Sequence, residues 1–249
     1  MRNIKTILKV IYGILLSPIL YWSARHQHAI HQAIIRPLTS GPFKGKLIGE
    51  IWDHVYQLES GAVDNDSFTQ AVCLSMQNAV RDGQIDYWLK MPTKPEQNID
   101  ISLCRSIFYT PLKRWHLNLH FMAEGNIHNP HGHRDVLSTQ VIAKGRMKVQ
   151  EFDLIDSLEK NPTTLIIRRD EVVDAVSGFI TTDSVCNVHG FEPYLGPAVR
   201  FQFYLRGQGG IKGVLFPKRG RLYVHPIWDT RDGNTVLANL GRSGRPGES

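Results

Sequence analysis

Cysteine is scarce: three occur in 249 residues, Cys73, Cys104 and Cys186, and no two of them stand in a CxxC pair. That spacing excludes a disulfide framework and a zinc ribbon, and makes a reducing compartment, the cytoplasm, the expected setting. Blocks of like charge are missing too. The formal charge of +6 is spread along the chain, with local excesses at Lys218, Arg219 and Arg221 and at Arg242 and Arg245. No nucleic-acid partner is expected from that pattern. Apolar runs are short as well. The stretch from Val10 to Trp22 has 13 residues and holds Pro18, whereas a bilayer-spanning helix needs about 20. Arg2, Lys5 and Lys9 precede it, and Tyr21, Trp22 and Arg25 crowd the place where a cleavage site would fall. Residues 4–22 therefore read as a membrane-surface or docking helix in preference to a signal anchor.

What the chain does have is 42% hydrophobic residues and a length sufficient for one well-buried principal domain. From Lys46 to Ser60, Leu47, Ile48, Ile51, Trp52, Val55 and Tyr56 recur at helical spacing and predict an amphipathic helix. A second helix is predicted to start at an Asp66 or Ser67 cap, to carry Phe68, Val72, Met76 and Val80 on one stripe, and to end at Asp82-Gly83. The connector Met91 to Gln97 then marks a change of period from 3.6 to 2. Trp115, Leu117, Leu119 and Phe121 alternate with polar residues, and AVRFQFYL sets Val199, Phe201, Phe203 and Leu205 against Arg200, Gln202, Tyr204 and Arg206. Several such strands between Gly and Asn turns predict a mainly β fold, an antiparallel barrel or jelly roll, with helices before it. The expected regions are a basic and apolar segment over 1–40, a helical annex over 41–100, the barrel over 101–230 and a flexible tail over 231–249.

The chemistry-bearing motif is GNIHNPHGHRDVLSTQVIAKG, residues 125–145, in which His131 and His133 stand one residue apart near the start of an alternating apolar run. Side chains two apart on a strand share a face, so both imidazoles can reach one ion. His189, 56 residues beyond His133 in CNVHGFEP, could complete a facial set of three. With 11 histidines in the chain, a chance HxH is the plain alternative. On ligand type alone, three neutral imidazoles suit Fe(II), Zn(II) or Cu(II).

Gly125, His131, His133 and Gly145 fit the first cupin motif, and His189 fits the second. Most cupins add a glutamate ligand a few residues after HxH; the stretch RDVLS offers Ser138 there. With that difference, the chain resembles the thiol dioxygenases, the cysteine dioxygenases in particular. Arg105 lies 26 residues before His131, the interval at which that family carries its carboxylate-binding arginine. HGFEPYLGPAVRFQFY is similar to the family's stretch from the third histidine to the active-site tyrosine, here Tyr204. The likeness runs roughly from Lys46 to Leu205. It departs where the family has a Ser-x-His-x-Tyr strand, since this chain reads Arg200, Gln202, Tyr204. Ser138 also replaces the cysteine that crosslinks to the tyrosine in mammalian-type enzymes, so that crosslink cannot form.

The resemblance implies a cupin jelly-roll barrel holding Fe(II) on His131, His133 and His189. It further implies a dioxygenase that converts a small thiol carboxylate, cysteine or an analogue, to a sulfinate with dioxygen. Arg105 would hold the substrate carboxylate and Tyr204 would hydrogen-bond substrate or oxygen. Arg200 and Gln202 are candidate substrate contacts in place of the family's usual pair. Two other functions stay open: a three-histidine cupin oxygenase acting on a non-thiol substrate, and a cupin that binds metal or anions without turnover. His116, His120 and His128 read as strand-face or loop residues, Glu124 precedes the turn and is not a ligand, and Arg134 and Asp135 read as a turn-side ion pair. Cys104 and Cys186 receive no role.

Overall fold

The computed structural model describes residues 46–90, 98–105, 114–133, 136–155, 160–181, 188–206 and 222–241. The N-terminal segment, the 91–97 connector, Arg134, Asp135, Cys186 and the basic residues between 218 and 221 lie outside them. So do Arg242, Arg245 and the side chains of Cys104, Arg105 and Arg206. Among the described residues no helix is long and apolar enough to cross a membrane.

Helix α1, Lys46–Glu59, and helix α2, Asn65–Arg81, follow the predicted stripes except at Tyr56, which is exposed, and a short α3, Asp86–Leu89, comes after them. The cap of α2 differs from expectation. Asp64, two residues upstream of the predicted position, accepts the Ser67 N–H at 2.7 Å. Several residues of DNDS can cap, and the one whose backbone is extended does so.

Among the described residues, eleven strands form two antiparallel sheets: β1 Ile99–Arg105, β2 Arg114–Met122, β3 His128–Gly132, β4 Val136–Lys144, β5 Arg146–Leu154, β6 Thr163–Asp174, β7 Gly178–Thr181, β8 Val188–Pro193, β9 Ala198–Arg206, β10 Leu222–Asp232 and β11 Thr235–Gly241. One sheet runs in the order β1-β2-β9-β4-β7; the other closes on itself as β10-β11-β6-β5-β8-β3. This is the mainly β, jelly-roll architecture with helices in front that the alternation predicts. The boundary of the tail is corrected: position 231 falls inside β10, and β11 pairs with both β10 and β6 to close the ring. The barrel therefore continues to Gly241.

The sheet that carries β9 is two-faced. Trp115, Leu117, Leu119, Phe201, Phe203 and Leu205 point outward into a core shared with α1 and α2, where Trp52 packs edge-on to Trp115 and Phe68 to Phe203. A second apolar cluster, including Met122, Ile142, Met147, Val149, Phe179 and Phe191, joins the two sheets, and a third, around Phe152, Leu165, Val188 and Val236, lies within the closed ring. Gly145 of the first motif makes the turn from β4 to β5 at φ +79°, where an added Cβ would meet the Pro197 carbonyl at 2.7 Å. Only glycine suits that turn. The polar alternates of β2, β4 and β9 are left facing the second sheet, and this is the face that matters for function.

Candidate metal centre

His131 sits on β3 and His189 on β8, directly opposite one another in the strand register, and antiparallel partners send their side chains to the same face. His133 follows just past the end of β3. The structure brings all three together: their ligand atoms lie within 4.8 Å of one another, and ring centroids are 4.8 to 5.1 Å apart. His131 and His189 are buried and His133 is half-buried. Gly190, beside His189, leaves room for the ring of Pro130, beside His131, which a Cβ would meet at 3.0 Å. Close approach of the two strands depends on that gap.

The donor set suits a metal ion. His131 Nδ1–H donates to the Asn129 carbonyl at 2.8 Å, which fixes the tautomer and leaves Nε2 as the lone pair available to a metal. Three imidazoles that converge on one point with one edge toward solvent could hold a divalent transition metal while leaving positions open.

The same register row continues from His189 to Glu151 on β5 and from there to Arg169 on β6. Glu151 is buried; its Oε2 lies 3.1 Å from Arg169 Nε, and its Oε1 has no hydrogen-bond partner among the described residues. Burial pushes its carboxyl up to about 7, with Arg169 pulling the other way. Sequence reading missed this residue. The available signal was a charged side chain in the apolar phase of RMKVQEFDL, where Met147 and Val149 precede it.

Across from the histidines stands the polar face of the five-stranded sheet. Tyr204 of β9 is flanked in register by His116 on β2 and Ser138 on β4, and the His116 ring stacks on the Tyr204 ring at 4.8 Å and 13°. Arg105 ends β1 opposite His116, so its backbone stands in the same row as Tyr204. His120 Nδ1 donates to Asp100, whose carboxyl that bond holds below its ordinary range, and His120 Nε2 lies 2.7 Å from the Gln202 side-chain amide. Arg200 is buried, with its Nη2 3.4 Å from His128 Nδ1 and its guanidinium carbon 4.2 Å from the centre of the Phe191 ring. His116, His120 and His128 are thus more than strand-face residues: each touches one of Tyr204, Gln202 and Arg200 of β9. Their roles were hidden because they depend on the pairing of β2 with β9 and on the approach of β3 to β9 from the other sheet, and β9 is distant from both in sequence.

No protein-family profile matches the chain, and no curated protein does. Solved structures similar to it include a cupin superfamily protein from Desulfitobacterium hafniense, at 12% identity and TM-score 0.32, covering 47% of this chain and 84% of that one. A cupin domain from Schizosaccharomyces pombe aligns at 14% identity and TM-score 0.33 over 50% of this chain and 74% of that one. An oxalate oxidase aligns at 17% identity and TM-score 0.33, over 47% of this chain and 54% of its own length. Each of these alignments spans about half of this chain.

Proposed function

We propose that this protein is an iron-dependent thiol dioxygenase that oxidises a small thiol carboxylate, cysteine or an analogue, to the sulfinate. The observation that carries the reading is the convergence of His131, His133 and His189 between two sheets, opposite a strand whose Tyr204 shares a row with Arg105. A three-histidine group with a tyrosine on the neighbouring sheet is also what the family resemblance implies.

Iron held by the three imidazoles would supply the coordination and redox chemistry that lets dioxygen react with a thiolate. The overall change is balanced without an external reductant: both atoms of one dioxygen bond to sulfur, and sulfur loses four electrons. The chain's own residues would bind and orient. Arg105 would pair with the substrate carboxylate through a charge-assisted bidentate contact. Tyr204 offers a hydroxyl to the substrate, and His116, stacked on its ring, fixes the ring plane. That contact supplies from β2 an orienting role which the family's strand supplies from within, and which Gln202 and Arg200 do not reproduce.

The test is oxygen uptake by the iron-loaded full chain with cysteine, 3-mercaptopropionate and 2-mercaptoethylamine. Uptake with the two carboxylates and little with the amine is expected. Absence of uptake with all three would indicate a metal-binding cupin without this activity. Uptake without any thiol would indicate an oxygenase of another class.

A further inference from the structure

We propose that the substrate carries a carboxamide in addition to its thiol and carboxylate, and that Gln140 on the inner face of β4 is the residue that reads it. This inference rests on the thiol dioxygenase reading and specifies its substrate class.

Gln140 is 0% exposed, and neither its Nε2 nor its Oε1 has a hydrogen-bond partner among the described residues. A folded chain seldom leaves both ends of a buried amide unsatisfied, because its desolvation is then uncompensated. Alternation along β4 puts Gln140 on the face toward the second sheet, between Ser138 and Ile142. Ile142 packs in the apolar cluster that joins the two sheets. In register, Gln140 stands between Gln202 on β9 and Phe179 on β7. The Phe179 ring is 5.2 Å from that of Phe191, which in turn is 5.0 Å from the ring of His189. Two aromatic rings thus link the open amide's neighbourhood to an imidazole of the candidate metal centre.

The neighbouring strands explain why this amide stays open. Directly opposed residues of an antiparallel pair have Cβ atoms about 5 Å apart, so Gln202 is the natural partner for Gln140. Instead the Gln202 amide is engaged at 2.7 Å by His120 Nε2 of β2, and His120 is pinned by its bond to Asp100. The Asp100–His120 pair therefore holds Gln202 away from Gln140 and leaves a donor and an acceptor side by side. Ser138 Oγ, on the same face, is buried and likewise has no partner among the described residues. A group that satisfies both ends of one amide must present an acceptor and a donor together, as a carboxamide does. A carboxylate has no donor, and an alkyl chain has neither.

N-(mercaptoacetyl)glycine holds thiol, carboxamide and carboxylate in line, and 5-mercaptopentanoate is its counterpart of equal length with methylenes in place of the amide. Calorimetric titration of both into the zinc-loaded full chain reads binding without turnover. We expect the amide to bind about tenfold more tightly or better, and Gln140→Met to bring the two affinities within about twofold of each other. Should that variant not fold, His120→Leu decides: it releases Gln202 to pair with Gln140, and the preference is expected to collapse to the same degree. Equal affinities for the wild type overturn the proposal; so does a preference that survives either substitution, or failure of both thiols to bind. Oxygen uptake by the iron-loaded protein separates this inference from its parent. Sulfinate formed from either thiol with equal affinities sinks the carboxamide alone, whereas a preference for the amide without sulfinate sinks the dioxygenase reading alone.

Discussion

His131 donates through Nδ1 to its own strand's backbone, which leaves its Nε2 as one directed lone pair rather than general polarity. Removing one should leave too few donors. His133→Ala is predicted to lose most of its iron after dialysis, by at least about tenfold, as read by metal analysis of variant and wild type. Arg105→Ala should raise KM for a carboxylate thiol by a loss of about 2–5 kcal/mol in binding, and change little for 2-mercaptoethylamine. Equal losses for the two substrates would contradict the role. Glu151 makes a prediction for stability in the metal-free protein. Its folded pKa of about 7 lies above the ordinary 4.5, so the native state binds the proton more tightly than the unfolded one. Its contribution is present below about 4.5 and is lost as pH rises through about 7. Urea titrations of Glu151→Gln and wild type should therefore diverge in pH dependence across that window. His131 and His133 were legible because HxH is a local pattern, and His189 because the stretch around it fits the second motif of the resemblance. Glu151 and the β2 histidines were not, because their meaning lies in partners on other strands.

At the level of elements, β9 does two jobs by simple alternation. Val199, Phe201, Phe203 and Leu205 anchor it to the helices, while Arg200, Gln202 and Tyr204 occupy the opposite face, toward the second sheet. That division was readable from AVRFQFYL, as were both long helices from their stripes. The relay onto Gln202 from Asp100 through His120 was not, since a strand pattern shows which side a residue faces and not what faces it. Helix α2 meets β7 at Gly178, where an added Cβ would lie 2.5 Å from Cys73 Sγ and 2.7 Å from Gln77 Nε2. Gln77 Nε2 in turn donates to the Val176 carbonyl at 3.0 Å. Gly178→Ala should therefore push the helix off the sheet and destabilise the fold by about 1–3 kcal/mol, measurable as a lower urea midpoint with unchanged slope. An unchanged midpoint would mean that this contact is not tight.

For the whole molecule, the sheet order places a histidine cluster and a polar strand face opposite each other, with apolar clusters above the helical side and within the closed ring. The mainly β class followed from period and turns. Closure by β10 and β11 did not, because pairing of β10 with β3 joins residues some ninety positions apart and leaves no local trace. The resemblance to thiol dioxygenases likewise ended near Leu205, before the strands that complete the ring. The central claim is that this architecture carries out oxygen transfer to sulfur. It is tested most directly by supplying the iron-loaded protein with a thiol carboxylate under isotopically labelled dioxygen and weighing the product. The account predicts a sulfinate with both oxygens labelled, formed at one dioxygen per thiol and abolished in His133→Ala. A disulfide as the only product, or a sulfinate whose oxygens come from water, would contradict it.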